Sequence, residues 1–187
     1  MRVLKVSMQL AAFIMLFIFL ACTTPSTKFS AIWKDETYQG HPKKILVINM
    51  FQDTSIRRIF EDEIVKALKD HKVDAVVKYA VAPPDMLVSD KDAIAAQAKE
   101  VGADTVLITR PVGTRRDATG ALSVYINTQT DVYDMKSNKL ISYATAETQI
   151  QHGIGRQGGA PDSQDYLKSV PSYVKDLVNK LSQAGLF

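Results

Sequence analysis

A glycine pattern near the C-terminal end of the chain is the first candidate for chemistry. Residues 153–158 have the sequence GIGRQG, which matches GxGxxG. In a dinucleotide site, such glycines let backbone amides approach a pyrophosphate at the start of a helix. That site needs a strand before the motif, a helix directly after it and another strand beyond. Because Pro161 separates the motif from the next helical pattern and no strand pattern follows, we expect a flexible connection. Arg156 within it is a candidate anion contact.

Arginines and one tryptophan supply the other candidate contacts. Arg57 and Arg58 fall in the first turn of a predicted helix, where a cation opposes the helix dipole. They follow the turn at 51–55, the position at which open α/β sheets commonly bind ligands. We expect these two arginines to pair with nearby acids, with an anion or partner contact as the alternative. Arg116 in a charged connection and Trp33 near an aromatic strip are further candidate partner contacts.

Residue types that support catalysis or metal binding are scattered in this sequence. Neighbouring acids on one helix point in different directions, so the run at 61–63 is expected to be a solvated face. The three histidines are far apart and lack a second ligand at helical spacing. We therefore expect a protein that is not an enzyme, with no catalytic residue, no metal ion and no cofactor. The residues considered are Glu61, Asp62, Glu63, His41, His71 and His152.

The single cysteine directly follows a leader-like segment. A positive start with Arg2 and Lys5 precedes twelve consecutive apolar residues at 10–21. A membrane-spanning helix needs about 20 apolar residues, so this run has the length of a secretory signal instead. The sequence FLAC at 19–22 resembles the bacterial lipobox. The resemblance implies cleavage before Cys22, a diacylglycerol on its thiol and a fatty acid on the amino group that cleavage frees. The alternative is an ordinary signal peptide or uncleaved anchor with an incidental cysteine.

Lipidation at Cys22 would fix the location of the protein. Each buried methylene contributes about 0.8 kcal/mol, so several acyl chains hold a domain on a membrane permanently. Thr23 follows the cysteine, which in enteric bacteria resembles an outer-membrane sorting signal. The mature chain has 21 basic and 20 acidic side chains once Arg2 and Lys5 are removed. This near-neutral balance gives no electrostatic reason to expect nucleic acid as a partner.

The remaining sequence predicts one small α/β domain. We expect a signal peptide at 1–21, the lipidated cysteine and a tether at 22–42, and a single domain at 43–187. Apolar runs and periodicities predict the order β-α-β-α-β-β-β-α, a small mixed sheet with a parallel core, an antiparallel hairpin and helices packed on it. The strands are predicted at 44–50, 73–79, 104–110, 122–133 and 140–149, and the helices at 55–71, 89–101 and 163–184.

Two segments carry more specific expectations. Polar and apolar residues alternate over 122–133, which predicts a strand with one wet face that includes Tyr125, Asn127 and Gln129. Aromatic residues make the later part of the tether too apolar for a free linker. We expect it to lie against the domain and bury Trp33. The alternative is that Trp33 belongs to an exposed partner-binding strip.

Parts of the domain resemble a group of uncharacterised lipoproteins of the Gram-negative envelope. The residues that carry the resemblance are Trp33-Lys34-Asp35, the strand KILVI and Arg57-Arg58-Ile59-Phe60-Glu61-Asp62. More distantly, the arrangement is similar to the N-terminal domain of TolB and to penicillin-binding-protein activator and curli secretion lipoproteins. The resemblance implies a fold and a location in the envelope, and it assigns no activity.

The sequence thus favours a lipid-anchored accessory protein of the outer membrane. Its domain is expected to face the periplasm and to bind an envelope protein or a glycan without catalysis. One alternative is a subunit of an oligomeric secretion or pore complex. The other is a ligand-binding or hydrolytic domain that uses the turn at 51–55.

Overall fold

The computed structural model describes residues 26–77, 91–116, 123–151 and 161–187. The expected signal peptide, Cys22 and the glycine motif with Arg156 lie outside the described residues, as does the start of the helix predicted from 89.

In the described part of the chain, six strands form one mixed sheet and three helices pack on it. The strands are β1 (Thr27–Lys34), β2 (Lys44–Asn49), β3 (Asp74–Val77), β4 (Thr105–Arg116), β5 (Ser123–Asp134) and β6 (Lys139–Gln151), and the helices are α1 (Thr54–Asp70), α2 (Lys91–Val101) and α3 (Ser163–Gln183). The order across the sheet is β1-β6-β5-β4-β2-β3. The predicted mixed α/β fold is confirmed.

Strand directions follow from the connections. β2 pairs in parallel with β3 on one side and with β4 on the other, because α1 and α2 carry the chain back between these strands. β4, β5 and β6 form an antiparallel meander. The turn between β5 and β6 uses Asn138 at φ 54°, the left-handed conformation that asparagine tolerates well. The predicted parallel core and antiparallel hairpin are therefore both present.

Helix boundaries are set by capping residues. The Asp53 carboxylate accepts hydrogen bonds from the Ser55 and Ile56 amides at the start of α1, which satisfies two otherwise unpaired donors. A reciprocal capping box of Asp162 and Asp165 starts α3. The latter helix runs without interruption through Pro171. None of the described helices combines the length and apolar content needed to cross a membrane.

The core lies on both faces of the sheet and is much larger on one. On the larger side, α1 and α3 pack across the sheet, and α1 contributes the stripe Ile56, Phe60, Ile64 and Leu68. On the other side, Ile94 and Ala98 of α2 cover four buried side chains of β2 and β4, with Val76 of β3 and Tyr133 of β5 packed at the margin. The four are Leu46, Ile48, Val106 and Ile108. The second helix layer is therefore partial.

The later part of the tether lies against the domain, as expected, but it does so as a strand of the sheet. Residues 27–34, which the sequence analysis placed in the segment 22–42, form edge strand β1 and pair antiparallel with β6. A register shift between Phe29 and Ala31 interrupts the strand and breaks the alternation that would have predicted it. Phe29 and Ile32 pack against the core, whereas Trp33 is 40% exposed. The sheet thus begins well before the expected domain start at 43, and the expected burial of Trp33 does not occur.

A second difference concerns the connection after the third predicted strand. β4 continues to Arg116 rather than ending at residue 110, because its second half pairs with β5 after a register shift between Pro111 and Gly113. Arg115 and Arg116 consequently lie in a strand, opposite Tyr125 and Val124. They do not occupy the loop tip that the sequence suggested.

Candidate interaction face

The turn after β2 is filled by its own side chains. Phe51 is 7% exposed, and its ring lies 4.7 Å from that of Phe60 and 5.9 Å from that of Tyr166. The carboxylate of Asp53 is engaged as a helix cap. Within the turn at 51–55, Phe51 is therefore used to join the sheet to α1 and α3, and Asp53 is used to cap α1, whereas the other three residues are exposed.

The two adjacent arginines in α1 have different environments. Arg57 is 7% exposed, and its Nε donates a hydrogen bond to the carbonyl oxygen of Phe51 at 3.2 Å. Its side chain is thus committed to holding the turn, which argues against Arg57 as a surface contact. Arg58 is exposed and remains accessible.

Glu61 was expected on a solvated face and is instead only 4% exposed. Its Oε1 accepts a hydrogen bond from the backbone amide of Asn49 at 3.0 Å, and no described residue hydrogen-bonds its Oε2. Burial raises the pKa of this carboxyl to about 7, against the lowering effects of the Asn49 amide and the Arg57 guanidinium. Glu61 therefore changes its charge near neutral pH.

A polar surface of the sheet lies on the side that α2 covers only in part. We call it the open face. It consists of the outward side chains of β1, β6, β5 and the second half of β4, beyond the α2 contacts. No helix in the described ranges packs on it. In register order, its members are Lys28, Ser30, Trp33, Tyr143, Thr145, Glu147, Gln149, Tyr125, Asn127, Gln129, Asp131, Arg110 and Arg115. Asp131 is on this side of the sheet but is only 2% exposed.

An aromatic pair forms one end of the open face. Trp33 on β1 is the register partner of Tyr143 on β6, and their rings stack with centroids 5.6 Å apart and 26° between planes. In the described chain, no hydrogen bond is made by the Trp33 indole N–H or by the Tyr143 hydroxyl. The pair therefore offers an apolar surface with free donors beside it.

Charged side chains on the open face pair with one another. Arg110 lies 3.2 Å from Asp131, and Asp131 also accepts a hydrogen bond from Gln129. Arg115 lies 3.1 Å from Glu147 and packs over the ring of Tyr125, 4.0 Å from its centroid. Apart from the Gln129–Asp131 hydrogen bond within β5, these contacts cross from strand to strand, so they fix the lateral positions of the side chains.

Amides and hydroxyls fill the middle of the open face. Thr145 and Gln129 are register partners, and the Thr145 hydroxyl also pairs with that of Ser30 at 2.7 Å. Asn127 lies opposite Gly113 of β4, which has no side chain to cover the amide. No described residue hydrogen-bonds the Asn127 amide. Its two donors and its acceptor are accordingly available to a ligand.

Two cavities lie elsewhere. One, of about 210 Å³, lies between α2 and the strands β4 and β5, with Ile94, Ile108 and Tyr133 in its wall. The other, of about 400 Å³, lies between α1 and α3 and contains His71, which pairs with Asn179 at 3.1 Å. We call the second one the helix groove. Among the described residues, no group of three or more His, Cys, Asp or Glu side chains could hold a metal ion.

The structure does not bring the sequence-predicted contacts together. Trp33 belongs to the open face, whereas Arg57 and Arg58 start α1 on the opposite side of the sheet. Arg116 is exposed at the far end of β4, next to the open face, to which its neighbour Arg115 belongs. The predicted wet face of 122–133 is confirmed, and it contributes the central residues. Sequence reasoning missed the role of Tyr143, whose position opposite Trp33 depends on the unpredicted strand β1.

Comparisons with known proteins give a fold-level likeness only. No family model matches the sequence, and no curated protein matches it. Similar solved structures include the PelC dodecamer from Paraburkholderia phytofirmans, with 13% identity, a TM-score of 0.45, and coverage of 82% of this chain and 97% of that chain. A lipoprotein from Neisseria meningitidis, GNA1162, has 16% identity, a TM-score of 0.44, and coverage of 76% and 99%. A Xanthomonas campestris protein of the family DUF330 has 11% identity, a TM-score of 0.43, and coverage of 82% and 89%. Likenesses at this level carry no argument about function.

Proposed function

We propose that this protein is a lipid-anchored, non-catalytic binding module of the bacterial outer membrane whose domain faces the periplasm. Acyl chains on Cys22 attach it to the membrane. The open face binds an envelope partner, a protein or a glycan. In this role the domain holds or positions a component of an envelope assembly and transforms no substrate.

The observation that carries the proposal is the organisation of the open face. Cross-strand ion pairs and stacked rings fix its side chains in place, which reduces the entropy lost when a partner binds. At the same time, the indole of Trp33 and the amide of Asn127 have no hydrogen-bond partner in the described chain. A surface that is ordered and yet has unused donors is suited to recognition.

The turn after β2 supports a non-catalytic role. A ligand site there would need converging polar groups around a cavity. Instead, Phe51 occupies the turn, and Asp53 and Arg57 are used in local hydrogen bonds. The alternative of a hydrolytic or ligand-binding site at 51–55 is for this reason the weaker one.

Removing the cysteine tests the anchor. Replacing Cys22 with alanine is expected to abolish incorporation of a fatty-acid analogue and to release the domain from the membrane, since no acyl chain then holds it. Cells that express wild type or the variant are labelled with alkynyl palmitate and fractionated. Replacement of the neighbouring Thr23 with serine is the matched control and keeps full labelling. Equal labelling of the Cys22→Ala variant would refute the anchor.

Changing the open face tests the binding role. The double variant Trp33→Ser/Tyr143→Ser removes the exposed aromatic pair. After crosslinking in cells, we expect at least tenfold less partner to co-purify with this variant than with wild type. The reason is that aromatic side chains at an interface contribute about 2 kcal/mol or more to binding. The double variant Lys66→Ala/Lys175→Ala in the helix groove is the control and retains the partner. Equal recovery with both double variants would exclude the open face as the binding surface.

A further inference from the structure

We propose that the partner recognised by the open face is an uncharged glycan chain; this inference rests on the proposed function and names its partner class. The ligand lies across β1, β6 and β5. It stacks a sugar ring on Trp33 and directs its hydroxyls to the side chains of Asn127, Gln129 and Thr145.

The charges on the open face favour an uncharged partner. Its two arginines are each paired with a carboxylate of the same face, Arg110 with Asp131 and Arg115 with Glu147. Lys28 is the register partner of Glu147 as well. The face therefore has three basic side chains against two carboxylates. With a net charge this small, it has no extended field of one sign to attract an acidic or basic partner.

The chemistry in the middle of the open face matches sugar hydroxyls. A side-chain amide presents a donor and an acceptor side by side, and a threonine hydroxyl can do either. Asn127 has both functions unused, while Gln129 and Thr145 lie in the next cross-strand row. A glycan presents hydroxyl groups in pairs along its chain, and each of these can donate and accept a hydrogen bond.

The apolar component of the open face is small and aromatic. Among described residues, the exposed large apolar side chains are Trp33, Val112 and Leu167, and only the first belongs to the aromatic pair. The core of a protein–protein interface is usually richer in apolar side chains than this. An indole whose surface is left open suits the C–H face of a sugar ring, since its π electrons attract the polarised hydrogens.

The dimensions indicate a chain rather than a single sugar. From Tyr143 to Gln149 the open face extends over seven residues of β6. The six steps between them span about 20 Å at about 3.3 Å per residue. The aromatic pair lies at one end and Tyr125 at the other, with the amides between them. An oligosaccharide that extends along the strands contacts all of these groups at once.

The only tryptophan in the chain is Trp33, so intrinsic fluorescence reports directly on the open face. Full-length protein in detergent micelles is titrated with two uncharged probes, chitohexaose and cellohexaose. We expect a saturable change in Trp33 emission with at least one of them. The affinity should change less than about twofold between low and high salt, because no charge is neutralised on binding.

Variants assign the contacts. Asn127→Ala is expected to weaken binding about tenfold, because the hydrogen bonds between its amide and the sugar hydroxyls are lost. Thr145→Val provides a second test with little change in volume. The groove variant Lys175→Ala is the matched control and keeps wild-type affinity. Thermal melting of each variant in the absence of sugar shows whether it has folded.

Three outcomes would overturn the inference. In the first, neither probe changes the emission of Trp33, and the open face crosslinks to a protein in cells. The assignment of a glycan as the partner is then wrong, and the proposed function stands. In the second, Asn127→Ala and Thr145→Val both bind the sugar probe with the affinity of wild type. The third is the absence of sugar binding and of any crosslinked partner, which would refute the proposed function as well.

Discussion

Replacing Glu61 with glutamine is expected to stabilise the protein above pH 7 and to leave its stability near pH 4.5 almost unchanged. The reason is that the buried carboxyl is costly to ionise. Burial raises its pKa from 4.5 to about 7 in the folded protein, whereas the unfolded chain exposes it to water. Glutamine carries no charge, and its side-chain oxygen can still accept the hydrogen bond from the backbone amide of Asn49.

The direction of the pH effect follows from proton linkage. Between pH 4.5 and about 7 the folded protein retains the Glu61 proton more tightly than the unfolded chain. The stabilisation from this group is therefore complete below pH 4.5 and is lost as the pH rises through 7. A shift of this size corresponds to about 3 kcal/mol in the free energy of unfolding. The Glu61→Gln variant should exceed wild type by that order at pH 8.

Urea denaturation at several pH values between 4.5 and 8 measures the difference between variant and wild type. Glu63→Gln is the matched control, because Glu63 lies on the same helix and pairs with the largely exposed Lys66 at 3.9 Å. Exposed pairs contribute little, so this control should change stability by less than about 1 kcal/mol at every pH. A Glu61→Gln difference that stays constant with pH would contradict the assignment.

The second large effect is expected from the aromatic cluster that joins α1 to α3. Phe60 is 4% exposed, and its ring lies 4.7 Å from Phe51, 5.7 Å from Tyr173 and 6.3 Å from Tyr166. Replacing Phe60 with alanine leaves a cavity among these rings. The expected cost is about 3–5 kcal/mol in the free energy of unfolding.

The midpoint of urea denaturation at pH 6 measures the effect of Phe60→Ala. Leu167→Ala is the control, because Leu167 lies on the surface of α3 and is 46% exposed; its change should be below about 0.5 kcal/mol. A loss under about 1 kcal/mol for Phe60→Ala would show that the cluster does not hold the two helices together.

Much of the fold could be predicted from periodicity. β2 is a continuous apolar run and α1 has a stripe of apolar side chains at three- and four-residue spacing, so both elements were assigned to within one residue. Residue types at helix ends and turns are equally good indicators of local structure. Asp53 caps α1, Gly102 follows α2 at φ 68°, and Asn138 adopts a positive φ in the turn after β5. These features depend on neighbours in sequence and need no knowledge of the tertiary structure.

β1 was missed because its pattern depends on a distant strand. The irregularity between Phe29 and Ala31 destroys a simple alternation, and the stabilising partner, β6, lies more than a hundred residues further along the chain. The stacking of Trp33 on Tyr143 could not be predicted for the same reason. The open face was therefore recognisable only in part, through the alternating residues of β5.

Glu61 was misassigned because it lies in a run of three acids. The helical spacing places Glu61 on the buried face of α1, because it follows Arg57 by four residues and precedes Ile64 by three. Both of these neighbours are buried. An acidic residue on the apolar side of a helix is costly, so a solvated position was the simpler hypothesis. The structure places it against the end of β2, where the Asn49 amide partly satisfies it.

Site-specific photocrosslinking in living cells shows whether a partner binds the open face. A photoreactive phenylalanine analogue replaces Tyr143 on the open face in one strain and Lys175 in the helix groove in another. We expect a discrete adduct of higher mass from position 143 and none from position 175. Treatment with glycosidase removes the added mass if the partner is a glycan. No adduct from position 143, or equal adducts from both positions, would contradict binding at the open face.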